Sequence, residues 1–448
     1  MRRAARYLTL LGPFATVLAM SKVHARWIAD PRYDFTASFR LPWALTFAFF
    51  LALAAYGIGL PDLPRTARQA AFDSLLASLA GAVPVSLLQL AVGDALLPRL
   101  VIVVSAVALV PLQVVVWTLS RLGHSRDEDR DRVVVVSPDE EAVRLQADLT
   151  MAPERPSVVV AHLLVDDIRP ADDAHHERML VDRVIAERAT LVVLDRTAQL
   201  DDEVVAQAAV LHEAGIRVRT LVQFYEEWLG KLPVGELERA SLFFDISEIH
   251  RDRYGRVKRL IDLVCGLVSL PALVISVPLV AAVNLFGNRG PLLYRQERVG
   301  RGGHTFEILK FRSMRASAAD EVPGAWTAVD DPRVTRFGRI LRVSHLDELP
   351  QVVNILRGEL SVVGPRPEQP RYVAELSAKL PFYGMRHLVR PGLTGWAQVK
   401  YGYAGDETDA LEKLQYEFFY LRNQGLAFDI RVIGRTVRSV AGSEGRGR

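Results

Sequence analysis

Asp347 and Glu348 stand side by side in His345-Leu346-Asp347-Glu348-Leu349-Pro350-Gln351, and cations gather around them along the chain. Lys310 and Arg312 come first, in Leu309-Lys310-Phe311-Arg312-Ser313-Met314, and then Arg342. Arg366 follows in Val363-Gly364-Pro365-Arg366-Pro367, and Arg390 opens Arg390-Pro391-Gly392-Leu393-Thr394-Gly395-Trp396-Ala397-Gln398. Phosphoryl transfer calls for such a set, because arginine forks and a divalent metal are the usual means of neutralising phosphate oxygens. Pro365 and Pro367 hold the backbone around Arg366 stiff, and Gly364, Gly392 and Gly395 permit turns that bring backbone N–H groups to a ligand. Pro350 is tolerated in a first helical turn, so the pattern predicts a helix starting near residues 347–350 and running through Val352, Val353, Ile355 and Leu356. Both carboxylates then lie at a helix N-terminus, where the dipole favours anions. Capping charge alone would leave the same two residues; the order and combination of the blocks carry the signal.

These blocks resemble the catalytic domain of the bacterial polyprenyl-phosphate sugar-phosphate transferases, membrane enzymes that start exopolysaccharide, capsule and O-antigen assembly. The resemblance runs over residues 254–440. It implies transfer of a sugar-1-phosphate from a UDP-sugar to undecaprenyl (polyprenyl) phosphate, with release of UMP. On that likeness Asp347 is the nucleophile and forms a phosphosugar-aspartyl intermediate, Glu348 holds Mg²⁺, Arg342 orients Asp347, and Arg366 grips a phosphate. Lys310, Arg312 and Arg390 would be further substrate contacts. His345 reads as a packing or surface residue. No motif reports the sugar. The competing reading is a non-catalytic membrane scaffold or regulator; the presence of the dyad, its arginines and the glycine loops counts against it.

The elements that must position these residues divide the chain. Its length exceeds what one core organises, and half of its 448 residues are apolar. A net charge of +3, with no aromatic–basic RNA motif, argues against nucleic acid as a partner. Cys265 is the single cysteine, which excludes an intrachain disulfide and a cysteine-rich zinc site. Residues 1–120 read as an N-terminal membrane region. Leu41 to Leu60, Ala70 to Leu90 with Pro84 inside, and Leu100 to Leu119 have the length of spans. Tyr7 to Met20, with Gly12-Pro13 and a signal-like Arg2-Arg3 start, is taken as an uncleaved first helix of four. Arg121, Arg126, Arg130 and Arg132 then mark the cytoplasmic side, although Lys22, Arg26, Arg32 and Arg40 fall externally, against the rule. The expected setting is the bacterial inner membrane, multi-pass, with membrane lipid as a partner and the catalytic domain cytoplasmic. A transporter would need ionisable groups inside the spans, and Leu41–Leu60 and Leu100–Leu119 have none between their ends.

Residues 131–222 alternate β-branched runs (132–136, 157–161, 190–194, 216–220) with helical patterns (Glu140 to Leu149, Glu177 to Arg188, Asp202 to Ala214), the signature of a Rossmann-like α/β module. Its first turn, Ser137-Pro138-Asp139-Glu140-Glu141, lacks glycine and carries three carboxylates, so a structural, regulatory or homodimer-forming role is expected rather than dinucleotide binding. Residues 223–257 read as a linker. Residues 258–286 are apolar, interrupted by Pro271 and Pro278 and basic on both flanks, from Arg251 to Arg259 and from Arg289 to Arg301. A helix that enters the bilayer, breaks and leaves by the same face satisfies both facts, with Ser276 serving the backbone near Pro278. A kinked fifth span is the alternative, and the resemblance favours re-entry. Residues 287–442 form the catalytic domain, mainly α with α+β character. Residues 426–440 place Ile430, Ile433, Val437 and Val440 on one stripe and Arg431, Arg435 and Arg438 on another, so that helix either lies in the headgroups or packs on the core. Thr408 to Tyr420 reads as a packing helix.

Overall fold

The computed structural model describes residues 2–64, 66–92, 96–121, 130–151, 154–168, 178–233, 248–287, 290–314, 333–380, 382–401 and 407–441. Arg126, Glu177, Arg289 and residues 234–247 of the expected linker lie outside them. Four apolar helices open the chain: α1 (Arg2–Val23), α2 (Arg40–Ile58), α3 (Ala67–Val92) and α4 (Arg99–Arg121). They pack as one bundle around Val17, Phe47, Leu51, Val85 and Leu109, and α1 is a full member of it. Gly81 of α3 lets its backbone meet Leu51 of α2 closely, the usual use of a small residue between membrane helices. Leu11, Phe49, Leu79, Val83, Val103 and Val107 point outward.

The next unit is a parallel sheet in the order β2-β1-β3-β4, from β1 (Asp131–Val136), β2 (Ser157–Leu163), β3 (Leu191–Leu194) and β4 (Arg217–Thr220). Val134, Val136, Val192 and Leu194 face Leu180, Val184, Val204, Ala208 and Leu211 of α6 (Met179–Ala186) and α7 (Asp202–Glu213). Val133, Val135, Leu191 and Val193 face Leu145 of α5 (Asp139–Met151) together with Leu221, Phe224 and Trp228. Both faces are covered, which is why these strands read as unbroken apolar runs. The second cover comes from α8 (Leu221–Phe224) and its π-helical continuation Tyr225–Leu229, where Phe224 stacks on Trp228 at 4.9 Å. The sheet's core therefore continues past residue 222, into the stretch that composition reads as linker.

One helix, α9 (Glu248–Gly287), then runs 40 residues through both Pro271 and Pro278 without a break in its helical backbone. This corrects the expected interruption. Each proline forfeits one helical hydrogen bond, freeing the carbonyls of Leu267 and Val274, and Ser276 serves neither, since its hydroxyl donates to Leu273 O at 2.8 Å. Asp262, Gly266, Leu273 and Val280 form a single buried stripe, with Leu273 and Val280 set against Phe311, Leu341 and Val352. The remaining faces are exposed and apolar, including Leu267, Val268, Val274, Ile275 and Leu279. With α9, five helices among the described residues are long and apolar enough to cross a membrane; α9 is 17% buried over its most apolar stretch, against 44% for α2.

A hairpin follows, β5 (Leu293–Val299) against β6 (Thr305–Phe311), with Tyr294 opposite Lys310. Then come α10 (Arg336–Val343), α11 (Gln351–Arg357), β7 (Ser361–Val363), α12 (Pro370–Lys379) and β8 (Gly392–Thr394), which pairs in parallel with β7. The short α13 (Trp396–Lys400) leads into α14 (Glu407–Asn423), a packing helix through Leu414, Phe418 and Leu421, and α15 (Leu426–Val440) closes the fold. α15 reverses one of the two expected arrangements. Its arginine stripe faces protein: Arg435 grips Glu154, Arg438 lies 3.2 Å from Asp73 of α3, and Arg431 reaches the Tyr56 hydroxyl at 3.3 Å. The helix packs on α2, where Gly434 and Gly57 bring two backbones together.

Candidate functional site

The Asp347–Glu348 pair lies in a single 3-10 turn (Leu346–Glu348) immediately before α11, whose first residue is Gln351 behind Pro350. Thr335 caps α10, its hydroxyl accepting from Gly338 N–H at 2.9 Å, and α10 ends at Ser344. His345 then adopts φ 55°, a left-handed conformation more tolerable for histidine than for bulky residues, and turns the chain so that Asp347 is tucked in. Asn354, fully buried in α11, fixes the distance to the hairpin. Its Oδ1 accepts from Leu309 N–H at 3.1 Å, and its Nδ2 donates to Glu307 O and Glu359 Oε2, both at 2.7 Å. With β6 stitched to α11, Lys310 Nζ reaches Glu348 Oε1 at 2.7 Å. Arg366 Nη2 lies 3.5 Å from the same oxygen.

Environment separates the two carboxylates. Burial pushes Asp347 above the usual carboxylate range; the charge of Glu348 adds to the rise, while Lys310, Arg342 and His345 oppose it. Burial acts on Glu348 too, but Lys310 and Arg366 outweigh it and hold that carboxyl down at about 2. Burial also lowers Lys310, against the pull of Glu348. The turn thus holds one carboxylate whose ionised form two cations favour beside one whose ionised form burial disfavours, within a cluster of cations. Next to it Ile340, Val343 and Leu346 expose an apolar ridge.

Of the residues read from sequence, Lys310 and Arg366 meet Glu348 beside Asp347, and Arg342 acts on Asp347 through its charge. Arg312 donates Nε to Met314 O at 3.0 Å, and its guanidinium packs on Gly290, where any Cβ would strike it. Arg390 is turned elsewhere: its Nε donates to Gly358 O at 2.9 Å beyond the end of α11, and the charges acting on it are those of Arg259, Arg301 and Asp262. Arg259 caps the same helix end through the carbonyls of Ile355 and Leu356.

A profile of the bacterial sugar transferase family matches residues 253–443, which takes in all but the start of α9 and runs through α15. The match to the UDP-glucose:undecaprenyl-phosphate glucose-1-phosphate transferase of Caulobacter vibrioides is 41% identical over 186 residues, 41% of this chain and 69% of that protein. The chain belongs to the bacterial sugar transferase family. It is also 36% identical over 236 residues to the UDP-N-acetylgalactosamine-undecaprenyl-phosphate N-acetylgalactosaminephosphotransferase of Aeromonas hydrophila, 52% of this chain and 54% of that one. With the UDP-glucose:undecaprenyl-phosphate glucose-1-phosphate transferase of Escherichia coli (strain K12) it shares 40% identity over 188 residues, 40% and 39% of the respective lengths. The chain thus spans about half or less of the length of the latter two relatives.

Within the matched region the structure adds residues that sequence reading passed over. Asn354, Arg298, Arg386 and Glu417 touch the backbone that carries the predicted site or hold groups that do. Asn354 and Arg386 sit within or beside the named blocks, yet nothing in their spacing marks them. Their signal is a polar side chain in an apolar context, visible once burial is known.

Proposed function

We propose that this chain transfers a sugar-1-phosphate from a UDP-sugar to polyprenyl phosphate at the cytoplasmic face of the bacterial inner membrane. The observation that carries this is the setting of the dyad: Asp347 is buried, beside it Lys310 and Arg366 converge on one oxygen of the half-buried Glu348, and an exposed apolar ridge borders the pair. An Asp347 oxygen attacks the phosphorus next to the sugar, and the bond from that phosphorus to UMP breaks. UMP leaves, and the phosphosugar stays on Asp347 as an acyl phosphate, a reactive species. An oxygen of polyprenyl phosphate attacks the same phosphorus, the bond to Asp347 breaks, and the carboxylate is restored. Burial of Asp347 removes the water that would otherwise stabilise its charge, which favours reaction over solvation. Arg342 supports the ionised form, and Arg366 is placed to meet phosphate oxygens with its fork.

Mg²⁺ suits the donor chemistry. Lys310 and Arg366 both meet Oε1 of Glu348, so Oε2 is the oxygen that would serve a metal, and the carboxyl stays ionised. No three His, Cys, Asp or Glu side chains converge among the described residues, so further ligands would come from the diphosphate and water, the common habit of this ion. Bound there, it would neutralise diphosphate charge.

The exposed apolar faces of α9 and the ridge at Ile340, Val343 and Leu346 support a seat in the membrane surface, where the acceptor's phosphate is held by its lipid tail. We read α9 as entering the bilayer along the catalytic domain, since its buried stripe stays on that domain from Asp262 to Val280. The test is UMP release from a panel of UDP-sugars by the full chain in nanodiscs with undecaprenyl phosphate and Mg²⁺. Release that requires lipid and metal and is lost in Asp347→Asn supports the reading and names the sugar. Turnover that survives in Asp347→Asn excludes the covalent route; no turnover with any donor returns the scaffold reading.

A further inference from the structure

The loop carrying Arg366 is unusual in how it is held. Pro365 and Pro367 have no N–H to give, so the loop is fixed through its carbonyls, each met by a donor from another part of the fold. Pro365 O accepts from Gly392 N–H at 2.8 Å, and Glu368 O from Val299 N–H at 2.9 Å. Between them, Pro367 O accepts from Arg298 Nη1 at 3.0 Å, and Arg366 O from Arg386 Nη2 at 2.8 Å. The two middle carbonyls, the second of them belonging to Arg366 itself, depend on side chains.

Arg386 is committed entirely to protein groups. It is 4% exposed, and its fork is closed on Glu417, Nε to Oε2 at 2.9 Å and Nη2 to Oε1 at 2.6 Å, with Nη1 donating to the Tyr383 hydroxyl at 2.6 Å. Glu417, on α14, is itself 5% exposed. A guanidinium so enclosed has no route to a substrate phosphate. We propose that Arg386, anchored by Glu417, is a positioning residue: it sets the peptide after Arg366 and thereby the reach of the Arg366 guanidinium toward Glu348 and the transferring phosphate. Where Arg366 acts on substrate, this rests on the transferase reading; the grip on the loop does not.

The experiment uses the full chain in nanodiscs, with Arg386→Lys, Arg366→Ala and the double variant. Lysine keeps the charge but loses the planar fork, so it cannot hold Glu417 bidentately and reach Arg366 O together. Arg386→Lys is expected to lower kcat by on the order of tenfold to a hundredfold, the usual effect of a displaced contact group, with donor KM changing less. In the Arg366→Ala background the same substitution is expected to change kcat by less than about twofold, since its route of action is gone. An equal loss in both backgrounds overturns the proposal. Hydrogen–deuterium exchange gives a readout that needs no turnover. Peptides covering residues 360–369 should exchange faster in Arg386→Lys while those of β1 and β3 stay unchanged; unchanged exchange at 360–369 also overturns it. If wild-type chain releases no UMP, the transferase reading fails and the exchange result still decides the positioning. Glu417→Gln, which weakens the anchor and leaves Arg386 charged, should reproduce the exchange pattern should the lysine variant not fold.

Discussion

Asp347 and Glu348 show how one turn can place two neighbouring carboxylates in different electrostatic surroundings. Desolvation acts on both, and what separates them is which one the cations reach: Lys310 and Arg366 meet Glu348, while Asp347 has only the more diffuse fields of Lys310, Arg342 and His345. Asp347→Asn is expected to abolish UMP release, and Glu348→Gln to lower it by at least about a hundredfold, since each removes a group no neighbour replaces. Lys310→Met should remove activity as well and cost about 1–3 kcal/mol of stability, because it leaves the half-buried Glu348 with only the longer Arg366 contact. The double variant Lys310→Met with Glu348→Gln should recover most of that stability without recovering activity, as read from thermal midpoints beside turnover; a double-variant loss equal to the sum of the two single losses would show that the pair contributes no coupling. The dyad and Arg366 were legible in sequence because they come in dense local blocks. Arg386 and Asn354 were not, because their meaning lies in a burial and a partner that one-dimensional spacing does not contain.

At the scale of elements, α15 is the instructive case. Its two stripes were readable, but which stripe faces the protein was decided by Glu154 and Asp73, carboxylates far away in sequence that supply buried partners for Arg435 and Arg438. A basic stripe turns inward only where such partners exist, since an unpaired buried charge is costly. The helix is also anchored to the start of α9 through Asp429, which Tyr254, Lys258 and the Tyr420 hydroxyl all address. α9 makes the opposite point: two prolines argued for a break, and packing on Phe311, Leu341 and Val352 kept the helix continuous. The approach of Gly434 to Gly57 gives a direct test of how the catalytic region meets the bundle. A Cβ at Gly434 would collide with the backbone of Gly57, so Gly434→Leu should cost about 1–3 kcal/mol by overpacking and lower the midpoint of unfolding in detergent. Gly384→Ala, where nothing lies within 4 Å, serves as the control and should leave the midpoint unchanged. Equal behaviour of the two variants would mean the helix does not dock as described.

Across the whole molecule, the α/β module is fastened to the catalytic region at Glu154, ahead of β2. Arg435 grips both its oxygens at 2.7 Å, Lys400 Nζ adds a third contact at 2.6 Å, and Arg435 lies 4.7 Å over the Trp396 ring. Trp396 in turn donates Nε1 to Gly230 O at 2.7 Å, and the buried Lys231 bridges Asp148 of the module and Glu412 of α14. A tryptophan from the glycine-rich block is thus a docking residue for the module, and Gly395 beside it packs on Gly364 of the Arg366 loop, so module and loop are in mechanical contact. Burial alone would raise the Glu154 carboxyl, but Arg435 and Lys400 overcome it and bring it from 4.5 down to about 2. A carboxyl depressed on folding contributes stability that is fully present above its unfolded value and is lost as pH falls through its folded value. The window here runs from about 4.5 down to about 2, and the contribution at neutral pH is roughly 3 kcal/mol. Glu154→Gln should therefore lower the unfolding midpoint at pH 7, and the gap between wild type and variant should narrow steadily as pH falls below about 4.5. Other carboxyls titrate in the same range, but they do so in both proteins, so the narrowing of the gap isolates Glu154. Curves that remain parallel from pH 7 to pH 3 would mean that Glu154 carries no charge-dependent share of the fold, and the module would then be held by Trp396 and the Lys231 bridge.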